Sequence, residues 1–381
     1  MTSPKRIVII AGEESGDRHA ATFVRELKQT HPHIHISGIG GEHMHDAGVE
    51  LISDLARYGV MGVSAVFSHL RVILRAAKAI KAHLMQHPPD LLILVDYPGF
   101  NLRLAKFVKK NLNTRIIYYI SPQIWAWKAK RIHTIKACVD HMAVILPFEK
   151  SIYLNAQVPV SFVGHPLIER LRPANPAVTR ATLGLPEQAR ILALLPGSRV
   201  HEIKHHMPIL RDCALLLTQR LDDLHIVIPI ARTIKPQQIQ TYLKNVPFKY
   251  TLIQEHSIDV VRCSDAVIVA SGTASLECAL LQKPMCIIYK SSLLSYALAW
   301  YFIQINFLGL CNILQNQMIV SEFLQYDCNA AEIARHMHAL LTCLEKSQRL
   351  TRRLQQLYQS LTLAAADCSM HELIVRELER A

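Results

Sequence analysis

The sequence predicts an α/β protein of two Rossmann-like domains facing across a cleft. Three observations carry that expectation. Short apolar runs rich in Ile and Val alternate with helical patterns along most of the chain, the rhythm of a doubly wound parallel sheet. The rhythm breaks at HPLIERLRPANPA (165–177), where three prolines mark a linker, and then restarts. The 381 residues, half of them hydrophobic and 19% charged, suffice for two or three domains and exclude disorder by composition.

The elements follow in order. RIVIIAG (6–12) reads as the opening strand, 17–29 as a helix, and HIHISGIGG (33–41) as strand and turn. LLILVD (91–96), RIIYYIS (115–121) and HMAVIL (141–146) are further strands, with helical patterns at 68–86, 101–111 and 128–138. After the linker the strands are ILALLP (191–196), HIVIPI (225–230), YTLIQ (250–254), DAVIVAS (265–271) and PMCIIYK (284–290). The stretch 329–381 reads as two or more helices. The domains are placed at 1–172 and 173–349.

A formal net charge of +12 calls for an anionic partner: a phosphate-bearing ligand, nucleic acid or an anionic membrane face. No RNA-type aromatic signature or zinc-finger spacing supports nucleic acid. The nine cysteines are odd in number and include no C-x-x-C pair, which suits reduced thiols in the cytosol. The N-terminal apolar run is too short for a signal peptide. Twenty histidines form no H-E-x-x-H, and the second-half turns lack acidic clusters, so no metal site is expected. His201, His205 and His206 are expected to reinforce a positive helix start or to face solvent.

Four strand-to-helix turns carry chemistry. LLPGSR (194–199) sets Gly197, Ser198 and Arg199 where backbone N–H groups and a guanidinium fork suit phosphate; a plain turn with a surface arginine is the alternative. VIVASGTASLECAL (267–280) repeats the arrangement with Ser271, Gly272, Thr273 and Ala274. Glu277 suits ribose hydroxyls or, equally, the helix dipole. AGEESGD (11–17) is acidic and is not G-x-G-x-x-G, so no dinucleotide cofactor is expected. Its Glu13, Glu14 and Asp17 suit sugar hydroxyls, while Ser15 and Asp17 also suit capping. Asp96, closing LLILVD, is placed to accept a proton from an attacking hydroxyl; Asn101 is the better cap for the following helix.

Two segments suggest lipid. Trp125 and Trp127 lie beside Lys128, Lys130 and Arg131, which suits a membrane interface, a sugar-stacking wall or, for one Trp, the core. YGVMGVSAVFSHLRVILRAAKAIKAHL (58–84) is apolar at Met61, Val63, Val66 and Phe67, then basic at Arg71, Arg75, Lys78 and Lys81; it reads as a membrane-surface contact or a core-facing helix. The charge-free stretch 291–321 is interrupted by Ser295, Gln304 and Asn306 and lies inside the βαβ rhythm, so it is read as buried or lipid-facing rather than spanning, with Asn312 following in a cleft loop.

In order along the chain, AGEESGD, YGVMGVSAV, VDYPGFN, YYISPQIWAW, LPFEK, FVGHPL, LLPGSR, ASGTASLECAL, NIL and SEFLQ resemble the lipid-A-disaccharide synthase family of inverting glycosyltransferases. The resemblance implies a two-domain glycosyltransferase-B fold whose final helices, about 350–381, pack back on the first domain. It implies UDP-2,3-diacylglucosamine as donor and 2,3-diacylglucosamine 1-phosphate as acceptor, joined β-1,6 with release of UDP. It also implies a peripheral enzyme on the cytoplasmic face of the inner membrane that needs no metal or cofactor; a homodimer stays open. Asp96 then matches the base, with Glu13, Ser15 and Asp17 on the acceptor side and Arg199 at the diphosphate. Ser271, Gly272, Thr273, Ala274 and Glu277 match the nucleotide turn, and Asn312 a cleft asparagine. Cys311 stands where the family usually has proline, and QNQ (315–317) lacks its glycine–basic pair. A UDP-sugar epimerase and a non-catalytic membrane-binding protein are the competing classes; dependence on a lipid acceptor, and binding of UDP, separate them.

Overall fold

The computed structural model describes residues 5–55, 66–171, 178–292, 306–362 and 366–380. The chain divides into two units, residues 1–166 with 364–381, and residues 167–363. The first unit is built on seven strands: β1 (Arg6–Ala11), β2 (His35–Gly40), β3 (Glu50–Asp54), β4 (Leu91–Val95), β5 (Arg115–Tyr119), β6 (His141–Val144) and β7 (Val160–Phe162). Their order is β3-β2-β1-β4-β5-β6-β7, parallel throughout. The second unit has six: β8 (Arg190–Leu195), β9 (Leu224–Ile230), β10 (Tyr250–Gln254), β11 (Ala266–Ala270), β12 (Met285–Tyr289) and β13 (Glu322–Leu324). Their order is β10-β9-β8-β11-β12-β13, again parallel.

Strands such as LLILV and AVIVA are buried at every residue, because βαβ crossovers lay helices on both faces of a parallel sheet. The sequence therefore shows them as unbroken apolar runs. The strands missing from the sequence reading are β3, β7 and β13, all at sheet edges. Two have only three residues, and Glu50–Asp54 is exposed or half-buried along its length, so no apolar run marks any of them.

Strand order reverses once in each sheet. In the first unit the reversal lies between β1 and β4, where Ala11 pairs with Val95. In the second it lies between β8 and β11, where Leu195 pairs with Val269. Just past the carboxyl ends of such a pair, the two crossovers leave on opposite faces and open a crevice. All four turns singled out in the sequence leave these four strands.

The boundaries need correction. Leu167 and Leu171 pack in the second core, so the division falls at 166/167 rather than 172/173. The helix Leu344–Thr362 also stays with the second unit, its stripe Leu350, Leu354, Leu357 and Leu361 buried in that core. Only the chain from 364 returns. There Met370, Leu373, Ile374 and Leu378 of the helix Met370–Glu379 join Phe23, Val24 and Leu27 in the first unit's core. Fully buried Glu377 anchors that helix: its carboxylate accepts from Arg115 Nε at 3.0 Å and from Arg380 at 3.0 Å.

The helix Val66–Gln86 buries Ala76, Ile80 and Leu84 and leaves Arg71, Arg75, Lys78 and Lys81 exposed beside Leu74. It is core-facing on one side and basic on the other. Met61, Val63, the side chains of Val66 and Phe67, and residues 293–305 of the charge-free stretch lie outside the described residues. Among the described residues, no helix is long and apolar enough to cross a membrane.

Candidate active site

At the first unit's reversal point, β4 ends in two consecutive residues of left-handed backbone, Asp96 (φ 44°) and Tyr97 (φ 45°). Non-glycine residues are held there only when their surroundings over-determine them. The surroundings are explicit. The Asp96 amide donates to Tyr119 O at 2.9 Å, and its carbonyl accepts from Tyr118 Oη at 2.6 Å and Asn101 Nδ2 at 2.8 Å. Asn101 also reaches Val95 O at 3.1 Å. It is therefore a clamp on the Asp96 turn rather than the expected helix cap; the helix starts earlier, with Pro98 in its first turn. The Tyr97 ring lies against Gly12, where a Cβ would fall 2.3 Å from the ring.

Burial, with a smaller contribution from the charge of Glu13, pushes the Asp96 carboxyl up to about 7; the Tyr97 amide and Arg131 oppose this. Glu13 stands just before the helix Glu14–Thr30 and caps nothing through its side chain; Ser15 is exposed. Asp17 is different. Its carboxylate is buried and accepts from the amides of Gly41 (2.7 Å), His43 (3.0 Å) and Met44 (3.1 Å). It holds the turn after β2 and is removed from the sugar-facing set.

A second carboxylate went unremarked in the sequence. Glu149, of LPFEK, is buried and accepts from Trp125 Nε1 at 3.1 Å. Burial pushes it to about 7. Its only sequence signal is an acid soon after a strand, β6.

At the second unit's reversal point the two turns differ. Gly197 (φ 118°) leads to Arg199 and the helix Val200–Thr218. Here the Glu202 carboxylate already accepts from the amides of Ser198 (2.8 Å) and Arg199 (3.0 Å). The expected free amides are thus occupied by an internal acid. What remains for an anion is the Arg199 side chain, 55% exposed and 3.6 Å from Glu202 Oε1. After β11, Gly272 (φ 145°) precedes the helix Thr273–Leu280, which has no side-chain cap and no acid in its first turn. Gly272 and Thr273 are exposed and Ala274 half-buried. Ser275, fully buried, closes the turn by donating to Gly272 O at 2.7 Å. Of the two turns, this second one is the better candidate for an anion, because no side chain caps the helix start. Glu277 is paired with Arg170 at 2.8 Å.

Two assignments fall. His206 neither faces solvent nor adds charge. It is buried, donates from Nδ1 to Pro196 O at 2.7 Å and accepts at Nε2 from the Lys290 amide at 3.0 Å, and burial lowers its pKa. It ties the end of β8 to the end of β12. Asn312, expected at the ligand, is fully buried and spent internally. Its Nδ2 donates to Val320 O (2.8 Å) and Glu322 (2.7 Å), and its Oδ1 accepts from Ile319 N (2.8 Å) and Val320 N (2.9 Å). An asparagine has two donors and two acceptor sites, and all four are used. Asn312→Ala is expected to lower the unfolding free energy by about 3 kcal/mol or more, since several buried polar groups lose partners. Urea denaturation checks this; a lowered donor affinity without lost stability would return Asn312 to the ligand.

The comparisons agree in kind. The family model for lipid-A-disaccharide synthetase matches residues 7–378. Lipid-A-disaccharide synthase 1 of Legionella pneumophila (strain Lens) is 55% identical over 379 residues, covering 99% of each chain. Lipid-A-disaccharide synthase of Trichlorobacter lovleyi is 40% identical over the same share of both. Among solved structures, a UDP-GlcNAc 2-epimerase from Neisseria meningitidis bound to UDP-GlcNAc superposes with TM-score 0.64 at 13% identity, covering 99% of this chain and 100% of that one. The kitacinnamycin glycotransferase gives TM-score 0.64 at 13% identity, covering 98% and 99%. These two show a shared glycosyltransferase-B-like fold and nothing finer. With the family model spanning both units and relatives this similar along their whole length, the chain belongs to the lipid-A-disaccharide synthase family and has that activity in lipid A biosynthesis.

Proposed function

We propose that the chain joins UDP-2,3-diacylglucosamine to 2,3-diacylglucosamine 1-phosphate with inversion, Asp96 taking the proton of the acceptor's 6-hydroxyl. As that O–H bond breaks, the oxygen attacks the anomeric carbon opposite UDP. The bond from the anomeric carbon to the diphosphate oxygen breaks, and UDP leaves with the electron pair. Arg199 and the uncapped turn at Ser271, Gly272, Thr273 and Ala274 receive the charge that develops on the diphosphate. Glu277, with its Arg170 partner, serves the nucleotide's ribose, and Glu13 and Ser15 serve the acceptor side. The observation that carries this reading is the Asp96 turn: a carboxyl held at about 7, at a topological switch point, on strained and fully braced backbone. The net charge of +12 and the exposed basic face of the helix Val66–Gln86 support peripheral attachment to the anionic cytoplasmic face of the inner membrane.

The direct test is incubation with both acylated sugars, following UDP and the β-1,6 disaccharide together. UDP release without disaccharide, or product without acceptor dependence, would overturn the reading. A pH profile tests the base. Asp96 must be ionised to accept a proton, so kcat/KM should fall about tenfold per pH unit below about 7 and level off above it. Glu149 titrates in the same range, so the profile should be repeated with Glu149→Gln, which leaves an acceptor for Trp125. Survival of the acid limb in that variant assigns it to Asp96; its disappearance assigns it to Glu149.

A further inference from the structure

The segment after β5 gathers positive charge. Lys128, at φ 53°, turns the chain toward the helix Arg131–Cys138, and Lys130 stands at that helix's start. The Lys128 ammonium lies 4.4 Å from the centroid of the Trp127 ring, and the Arg131 guanidinium lies 4.9 Å from it. Trp127 is itself 39% exposed. Among the described residues no carboxylate pairs with Lys128, Lys130 or Arg131. Two like charges beside one indole ring repel one another, and the ring only partly offsets this.

The cluster is also fixed in place. Trp125 Nε1 donates to buried Glu149, and Ser121 Oγ is hydrogen-bonded to Tyr153 Oη at 2.7 Å, so the segment is anchored on two sides. Its position is informative. β5 pairs with β4, whose end carries Asp96, and Arg131 is near enough for its charge to act on the Asp96 carboxyl.

We propose that Lys128 and Arg131, both beside Trp127, together with Lys130 at the helix start between them in sequence, form the subsite for the phosphate monoester carried by the acceptor sugar. The inference rests on the assignment of Asp96 to the acceptor hydroxyl. A phosphate monoester is close to a dianion at neutral pH, and it matches one guanidinium fork with two mobile ammonium groups. The same cations could meet the phosphate of a membrane lipid. The closeness of Arg131 to Asp96 selects the acceptor.

The test compares the acceptor with and without its phosphate, at saturating donor, in the unaltered enzyme, in the double variant Lys128→Gln/Lys130→Gln, and in Arg131→Gln. In the unaltered enzyme, removing the phosphate should raise the acceptor KM about 30-fold. In the variants that penalty should shrink to about threefold or less, with donor KM little changed. An equal penalty in all three enzymes overturns the proposal. Sedimentation with phosphatidylethanolamine vesicles containing phosphatidylglycerol separates the other source. Weakened vesicle binding with an unchanged acceptor penalty assigns the cations to the membrane and also overturns it. Asp96→Asn tests the underlying assignment separately: retained turnover removes Asp96 from the base role, whereas the phosphate comparison is read in enzymes that keep Asp96.

Discussion

Asp96→Asn is expected to reduce kcat by about 10²–10⁴-fold while changing UDP affinity by no more than about threefold. Asparagine keeps the size of the side chain and tolerates left-handed backbone as well as aspartate does. The clamps on the turn act on the main chain, through the Asp96 carbonyl and amide, and survive the change. What is lost is the capacity to accept a proton. Stability should move the other way. In the unfolded chain the carboxyl ionises near its ordinary value; in the folded protein it ionises near 7. An acid with a raised folded pKa stabilises the fold least at high pH: the cost grows from the unfolded value upward and is complete above about 7. Removing the ionisable group should therefore stabilise the protein by on the order of 2–4 kcal/mol at pH 8, and hardly at all at pH 4. Thermal melts at the two pH values check the sign. A variant that is both inactive and less stable at pH 8 would mean that Asp96 is structural. Retained turnover would remove it from the base role.

Legibility in the sequence followed burial. Buried central strands such as Leu91–Val95 and Ala266–Ala270 print their position as apolar runs, and the strands carrying all four candidate turns were readable for that reason. The edge strands Glu50–Asp54, Val160–Phe162 and Glu322–Leu324 were not, whereas the edge strand Tyr250–Gln254 was. The site divided along another line. A turn's location is local, so Gly12 through Asp17, Asp96, Gly197 and Gly272 were all found. What a polar side chain bonds to is set by partners far away in sequence. Asp17 is taken by amides 24 to 27 residues on. His206 is taken by Lys290, and Asn312 by a ring of groups around Val320 and Glu322. None of these partners is visible in a motif. Glu202 is the instructive exception. It lies three residues past Arg199, at capping-box spacing, so the sequence did contain the signal that the Ser198 and Arg199 amides have an internal acceptor.

That exception shapes the second large effect. Arg199→Ala is expected to lower kcat by about 10²–10³-fold and to weaken UDP binding about tenfold, with Arg199→Lys recovering part of the loss. Because Glu202 fills the two amides, the Gly197 turn cannot also cradle a phosphate there unless Glu202 moves. A Cβ at Gly197 would fall 2.3 Å from Glu202 Oε2, so the carboxylate is packed closely against the turn. Its effect on the exposed guanidinium is weaker, at 3.6 Å with Arg199 more than half in solvent. Arg199 can therefore leave Glu202 for a diphosphate at little cost, while the two amides cannot. On the proposed reading, the uncapped start of the helix Thr273–Leu280 then supplies the main-chain donors. Glu202→Gln separates this from the alternative in which the diphosphate displaces Glu202. If Arg199 acts alone in its turn, the neutral variant should bind UDP within about threefold of the unaltered enzyme, because little beyond the resting place of Arg199 has changed. If the diphosphate normally competes with Glu202 for the amides, removing the competing charge should tighten UDP binding about tenfold or more. Titration of UDP against the unaltered enzyme, Arg199→Ala and Glu202→Gln distinguishes these outcomes. Unchanged kcat and UDP affinity in Arg199→Ala would place the diphosphate away from this turn altogether.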